Sequence, residues 1–223
     1  MKILNIFFLL IIFGKSPIFP QQFNQLADAV IEKDTIKIGQ LLQSGVNINS
    51  QHPTSGTTVL MIASSYYYYD DIVEFLNRKG AILDLQDSEG KTALLWAASN
   101  SLPNAKILVA NGANVNIAAN DGMTPFLQAT LGVSSGKVTI EMCDLLRKKG
   151  ANINAALSKK SAMGWTALHY AVINGDVELV KYLIKYGANV NKATGEGSTP
   201  LYLAELGNQE EIIKILKSAG AKN

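Results

Sequence analysis

A short glycine-led segment recurs along most of this chain, and it limits the possible folds more than any other pattern in the sequence. The near copies read Gly-Ala-Asn-Val/Ile-Asn and occupy Gly112–Asn116, Gly150–Asn154 and Gly187–Asn191. Looser copies begin at Gly45, Gly80 and Gly220, so successive glycines lie 35, 32, 38, 37 and 33 residues apart. Regular repeats of this size are typical of proteins that stack one small structural unit many times.

A second segment keeps step with the first and carries helix-start signals. Its form is Gly-x-Thr-Pro/Ala-Leu-x-x-Ala, and the copies begin at Gly56, Gly90, Gly122, Gly164 and Gly197. The threonine suits a helix N-cap, where its hydroxyl accepts a hydrogen bond from a free backbone N–H. Pro125 and Pro200 follow at the first helical position, where a missing N–H costs nothing. A second amphipathic stretch then precedes the next glycine, which predicts two helices per unit and a left-handed glycine cap.

Together these segments resemble the ankyrin repeat, whose Thr-Pro-Leu-His-x-Ala core occurs here as Thr166–Ala171. The resemblance covers residues 24–223. It implies an all-α ankyrin-repeat solenoid of about six helix-turn-helix units joined by β-hairpin-like loops, with polar capping units at both ends. We number the units 1 to 6. The predicted repeat domain is 21–223, with units at about 24–49, 50–84, 85–116, 117–154, 155–191 and 192–223.

Residues 1–20 have the pattern of a secretory signal peptide. Lys2 precedes an apolar run, Ile3–Phe13, which is too short to span a bilayer comfortably. Pro17 would obstruct cleavage after Ser16, so cleavage near Pro20 and no cleavage at all both stay open. The alternative is a buried first helix of the repeat domain. The leader predicts an exported protein of bacterial type, periplasmic or secreted, or tethered to the membrane if the leader is uncleaved.

Charge and composition exclude several function classes. Without the two leader lysines the basic and acidic residues balance, which argues against nucleic acid as a partner. Cys143 is the only cysteine, and with His52 and His169 it provides too few ligands for a zinc or iron–sulfur site. We therefore expect no metal, no cofactor and no small-molecule substrate, and we expect a monomer.

A hydrolase-like motif is present but has the wrong context. Gly132–Gly136 matches Gly-x-Ser-x-Gly around Ser134, and Asp144 and His169 follow in the order a hydrolase uses. A nucleophile elbow requires a strand before the serine and a helix directly after it. We expect a helix to end before this serine, and the resemblance makes His169 a structural residue that tethers adjacent hairpins. The sequence therefore predicts a protein that is not an enzyme.

Three irregularities interrupt the repeat. Unit 4 has five extra residues around Gly132–Lys137, and the following hairpin gains four around Leu157–Lys160. Unit 2 replaces its inter-helix turn with four tyrosines, Tyr66–Tyr69. Four consecutive tyrosines cannot all face a core, so we expect at least one or two to be exposed. Two interpretations of this run stay open: a recognition surface, to which tyrosine is well suited, or packing between units.

In ankyrin stacks the hairpin tips and the exposed sides of the first helices line a concave groove. The resemblance places variable residues of this chain there, among them large apolar side chains that no core position requires. Trp165 could also lie flat over its own hairpin, which stays an alternative. The predicted partner-binding residues are Tyr66, Lys91, Asn100, Asp121, Met123, Met163, Trp165 and Asn174.

The function predicted from these features is a non-catalytic protein–protein interaction scaffold. We expect it to be exported and to bind a protein partner through the groove, with inhibition or stabilisation of an envelope enzyme as one role. The alternative is a secreted, host-directed effector that mimics eukaryotic ankyrin scaffolds. Fold alone does not identify the partner.

Overall fold

A computed structural model describes residues 21–158 and 163–222, and within them the chain forms twelve α-helices and no β-strand. The helices come in six consecutive pairs, which confirms the predicted all-α solenoid. We call the members of each pair the first and second helix of a unit. The predicted leader, residues 1–20, lies outside the described residues. The helices are α1 Gln21–Ile31, α2 Thr35–Gln43, α3 Val59–Ser65, α4 Asp70–Arg78, α5 Ala93–Ala98, α6 Leu102–Ala110, α7 Pro125–Ser134, α8 Ile140–Lys148, α9 Ala167–Ile173, α10 Val177–Lys185, α11 Pro200–Leu206 and α12 Glu210–Ser218.

The repeated threonine caps the first helix, as the sequence predicts. In four units its hydroxyl accepts a hydrogen bond from the backbone N–H three residues later, at 3.1–3.3 Å. These threonines are Thr58, Thr92, Thr124 and Thr199. In unit 5 the hydroxyl of Thr166 lies 2.8 Å from His169 Nδ1 instead. Pro125 and Pro200 are the first residues of α7 and α11, as expected from their fixed φ.

Stacking of the pairs creates one continuous core. First helices pack against first helices from α1 to α11, and second helices pack similarly along much of the stack. The residue two positions after the threonine is at most 1% exposed in every such unit. These buried residues are Leu60, Leu94, Phe126, Leu168 and Leu201. A single pair has no second layer to cover its apolar side, so each unit depends on its neighbours for burial.

Asparagine side chains link consecutive units near the closing glycines. Each donates through Nδ2 to the carbonyl of the next unit's glycine and accepts, at Oδ1, the N–H two residues further on. We call this set the asparagine ladder; its members are Asn49, Asn116, Asn154 and Asn191. Asp84 holds the equivalent place in unit 2 and accepts from Asn114 N–H at 3.0 Å. A carboxylate cannot donate, so this rung has only half of the usual pair.

The unit 4 insertion lengthens a helix, which corrects one expectation. The helix does not end before Ser134: α7 contains that serine and has ten residues, against seven in α3, α9 and α11. Gly132 permits the extra turn, because a Cβ there would lie 2.7 Å from Val138 Cγ2. The added turn packs against α10, and Ser134 Oγ lies 3.4 Å from Asp176 Oδ2. Part of the second insertion, residues 159–162, lies outside the described residues.

Candidate partner-binding surface

The hairpin tips of consecutive units are joined by backbone hydrogen bonds, which lines them up along one edge of the stack. The tip of each unit donates an N–H to a tip carbonyl of the unit before it, at 2.7–2.8 Å. The four donor–acceptor pairs are Ser88–Ser55, Asn120–Glu89, Ser158–Asp121 and Gly195–Met163. We call these tips, together with the accessible sides of the first helices, the hairpin face. Seven of the eight predicted binding residues lie on hairpin tips or at first-helix C-termini of units 3 to 5, and Tyr66 lies in unit 2.

In unit 3 the hairpin face is occupied by interactions within the chain. The ammonium of Lys91 lies 5.0 Å from the centroid of the Trp96 ring and pairs with the carboxylate of Glu89. The indole N–H of Trp96 donates to Asp87 Oδ2 at 3.3 Å. Asn100, which is half-buried, donates to the carbonyl of Trp96 at 3.4 Å. Both predicted residues of this unit, Lys91 and Asn100, therefore help to hold Trp96 in place.

In unit 4 the two predicted residues share a tight turn. Asp121 Oδ1 accepts a hydrogen bond from Met123 N–H at 2.9 Å, and both side chains are half-buried. Met123 packs against the edge of the core. Burial raises the pKa of Tyr170, in unit 5, and the negative charge of Asp121 raises it further. The carbonyl of Asp121 also accepts a hydrogen bond from Ser158 N–H of unit 5 at 2.8 Å, so Asp121 lies at the boundary between the two units.

Unit 5 presents the most apolar part of the hairpin face. Met163 is 51% exposed at the hairpin tip, and Ile173 is 52% exposed at the end of α9. Trp165 is half-buried, with its ring centroid 5.1 Å from that of Tyr170 and 5.9 Å from that of His169. Asn174, the C-cap of α9, is exposed. Trp165 therefore packs on its own unit and still leaves part of its surface accessible to a partner.

The four tyrosines of unit 2 divide into two pairs. Tyr66 and Tyr69 are half-buried and stack on each other, with ring centroids 4.5 Å apart, and Tyr69 Oη donates to the carbonyl of Ile31. Tyr67 and Tyr68 are 52% and 76% exposed. The expected exposure of at least one or two tyrosines is thus confirmed, and Tyr69 packs between units. The ring of Tyr66, the predicted binding residue, is engaged in an internal stack.

Two aromatic residues of the hairpin face were not predicted from the sequence. Trp96 and Tyr170 occupy the same place in units 3 and 5, four residues after the helix-capping threonine. That place is the variable x in the Thr-Pro-Leu-His-x-Ala core, and in both units its side chain is half-buried. A search for large residues at this one position would have found both.

The residues of the hydrolase-like motif have separate partners. His169 Nδ1 contacts Thr166, while Nε2 lies 3.3 Å from the carbonyl of Ser198 in the next hairpin. This contact confirms the tethering role that the resemblance implied. Asp144 accepts hydrogen bonds from Arg147 and Tyr182 on the second helices. The His169–Ser198 and Asp144–Tyr182 contacts join neighbouring units, and none of the contacts named here pairs His169 with Ser134.

Among residues 21–158 and 163–222, no group of His, Cys, Asp and Glu has the arrangement of a metal site. Cys143 is fully buried, and burial raises the pKa of its thiol to about 12. A thiol with so high a pKa is not an activated nucleophile at neutral pH. None of the helices in these two ranges combines the length and apolar character that crossing a membrane requires.

Comparison with known families agrees with this architecture. A family model described as ankyrin repeats, matched in three copies, covers residues 26–119, 66–157 and 128–223. These matches extend over nearly all of the described residues and over the six helix pairs. The chain belongs to the ankyrin-repeat family, whose stacks serve as protein–protein interaction scaffolds.

Several relatives are similar over much of this chain. Human SH3 and multiple ankyrin repeat domains protein 2 is 28% identical over 185 residues, which are 82% of this chain and 10% of that protein. Mouse Rabankyrin-5 is 30% identical over 204 residues, which are 82% of this chain and 16% of that protein. Zebrafish Notch-regulated ankyrin repeat-containing protein A is 45% identical over 53 residues, 24% of this chain and 47% of that protein. This chain spans less than half the length of each, so the similarity concerns the repeats alone.

Proposed function

We propose that this protein is a non-catalytic scaffold that binds a protein partner through the hairpin face of units 3 to 5. The observation that carries the proposal is the exposed apolar surface of unit 5, to which Met163 and Ile173 contribute together with the half-buried Trp165. Interface energy concentrates in a few aromatic and apolar anchors, and Trp is enriched among them. Exposure of large apolar side chains to water is unfavourable in free energy, and a partner surface that covered them would remove this cost.

Site-specific crosslinking tests the surface directly. A photoreactive amino acid at Met163 should capture the partner from native extract, whereas the same group at Lys148, an exposed residue of α8, should not. Trp165→Ala should weaken capture by about 2 kcal/mol or more, as expected of a hot-spot residue. The helical circular dichroism should stay near that of the parent protein. Equal capture from both positions would contradict the proposed surface.

We also propose that the protein is exported, so that the partner lies in the periplasm or outside the cell. The support is the basic and apolar pattern of residues 1–13. Fusing residues 1–25 to a reporter that is active only outside the cytoplasm should give activity, and a stable but silent fusion would contradict export. Fractionation then separates two roles: retention in the envelope favours regulation of an envelope enzyme, and release to the medium favours a host-directed effector.

A further inference from the structure

Units 3 and 5 place a pair of large side chains at equivalent positions, and the pair in unit 3 includes a cation. The positions are the residue just before the capping threonine and the residue four after it: Lys91 and Trp96 in unit 3, Trp165 and Tyr170 in unit 5. In unit 3 the Lys91 ammonium lies over the Trp96 ring, with the Glu89 carboxylate beside it. This is a complete cation–π arrangement with a counter-ion.

At the boundary of units 4 and 5, the described residues provide the aromatic and acidic parts of this arrangement without the cation. The rings of Trp165 and Tyr170 are tilted by 47°, with their centroids 5.1 Å apart. Asp121 lies in the neighbouring hairpin, where its carbonyl accepts a hydrogen bond from Ser158 N–H of unit 5 at 2.8 Å. Within residues 21–158 and 163–222, no lysine or arginine lies over either ring, and no ion pair involves Asp121.

We propose that the protein partner inserts a lysine or arginine side chain against Trp165 and Tyr170, with its charge facing Asp121. This inference rests on the proposed function, because it names the chemistry of the group that the hairpin face accepts. Aromatic faces attract cations, and the attraction grows when the site is shielded from water. In unit 3 the chain supplies the cation itself; in unit 5 a tryptophan replaces that lysine, so the cation comes from the partner.

The surroundings favour a basic side chain over other occupants. Exposed Met163 and Ile173 provide apolar surface for the methylene stem of a lysine or arginine. A purely apolar group would cover the half-buried Asp121 carboxylate and leave its charge balanced only by the Met123 N–H, which costs free energy. An acidic group would be repelled by the same carboxylate. Only a cation satisfies the rings and the carboxylate together.

A random peptide library selected on the full chain provides the probe. We expect selected peptides to contain lysine or arginine and to lose binding when Trp165 is changed to Ala. Each such peptide is compared with a twin in which norleucine, an uncharged residue of similar length, replaces the basic residue. The twin should bind about 5- to 30-fold more weakly, the range expected for a partly desolvated cation–π contact.

Two variants test whether the proposed groups cause that difference. Tyr170→Leu and Asp121→Asn should each bring the affinities of the peptide and its twin closer together. Glu74→Gln, which removes an exposed carboxylate from α4, should leave their ratio unchanged. Circular dichroism and melting temperature check that each variant is folded. If the ratio of affinities between the basic peptide and its norleucine twin is unchanged in both Tyr170→Leu and Asp121→Asn, the cation lies elsewhere and the inference is overturned.

The remaining outcomes separate this inference from the proposed function. Peptides that depend on Trp165 but bind as well as their norleucine twins would leave the hairpin face as a binding surface and overturn the cation site. A library without any Trp165-dependent binder would overturn both. Lys159 and Lys160 belong to the sequence of this hairpin and lie outside the described residues. If changing both to alanine increases affinity for the basic peptides, the chain supplies its own cation and the inference is wrong.

Discussion

The two ends of the helix pairs differ in how they are held together. At the hairpin end, units are joined by recurring contacts: tip-to-tip backbone hydrogen bonds from unit 2 to unit 6, and the asparagine ladder, in which Asp84 replaces one asparagine. At the turn end, where the first helix of a unit leads into the second, the residues and their contacts differ from unit to unit. Unit 2 has Tyr66–Tyr69 there, with Asn104 of unit 3 donating to Tyr66 O, and unit 4 has a lengthened helix and residues 135–139.

This difference has a physical origin in the groups that need partners. Every hairpin exposes the same backbone N–H and carbonyl groups to its neighbour, so one set of residues satisfies them in every unit. At the turn end the carbonyls that close each first helix face different neighbours. Asn104 shows the consequence: fully buried, it donates to the carbonyls of Ala63, Ser64 and Tyr66. The contacts at the hairpin end are therefore similar in successive units, whereas those at the turn end differ from one unit to the next.

The greatest loss of stability should come from the close approach at the hairpin end. Gly90 has φ +78°, and a Cβ there would lie 2.8 Å from Asn120 N and 2.6 Å from Asn120 Oδ1. Gly90→Ala combines left-handed strain of about 1–2 kcal/mol with overpacking of about 1–3 kcal/mol. Gly136, at the turn end, has φ +70°, and a Cβ there would meet no atom within 4 Å beyond its chain neighbours, so Gly136→Ala carries the strain alone. Urea unfolding should rank Gly90→Ala well below Gly136→Ala in stability; equal losses would contradict the close approach.

The next prediction compares one amide from each end. Asn104→Ala removes three donated hydrogen bonds in a fully buried place and should cost about 2–4 kcal/mol of unfolding free energy. Asn154→Ala, in the exposed asparagine ladder, should cost about 1 kcal/mol, because water replaces the lost partners. Chemical unfolding of both variants measures the difference. A larger loss at Asn154 would mean that the ladder dominates stability.

A pH effect should come from the hairpin end. Burial lowers the pKa of His169, an effect partly opposed by its hydrogen bond to the Ser198 carbonyl. Because the folded protein resists protonation, the unfolded chain binds more protons below the ordinary histidine pKa of about 6.5. Stability is therefore fully present above that pH and falls as the pH decreases through it. Burial lowers the pKa of His52 in the same direction.

Melting temperatures between pH 7.5 and pH 5 measure this dependence, in a window above most carboxyl titration. His169→Gln keeps an N–H donor and cannot titrate, so its melting temperature should fall less than that of the parent protein over the same range. His52 still titrates in this variant, so part of the dependence of melting temperature on pH should remain. If the melting temperature of the variant depends on pH as strongly as that of the parent protein, His169 does not contribute to the pH dependence.

The last and weakest effect is a gain in stability. Asp84→Asn should complete the asparagine ladder by adding a donor toward the Gly112 carbonyl while keeping the acceptor for Asn114 N–H. One exposed hydrogen bond is worth about 0.5 kcal/mol net, since water competes for both groups. Ser88→Ala, at a tip where the backbone makes the contact, should change nothing measurable. A lower melting temperature for Asp84→Asn would show that the charge at this rung matters more than the donor.

Much of this fold was predictable because the repeated residues act locally. The threonine caps, Pro125 and Pro200, and the closing glycines define where helices start and stop. The accessibility of the candidate binding residues was harder to predict, because exposure depends on neighbours. Tyr66 was expected to be an accessible anchor, and it stacks instead on Tyr69, while Trp96 and Tyr170 were missed at a position that sequence alone leaves unconstrained.

Local sequence was enough to set the period, the helix boundaries and the stacking of six pairs, since capping hydrogen bonds and backbone conformation involve residues close together in the chain. Tertiary contacts decide instead which aromatic rings already have a partner within the chain. Lys91 covers Trp96 within one unit, whereas the carbonyl of Asp121 in unit 4 accepts a hydrogen bond from Ser158 N–H of unit 5. The second contact crosses a unit boundary, so it depends on how the hairpins line up. The spacing of the repeated residues gives the period of the repeat, but it does not show which side chains contact each other between units.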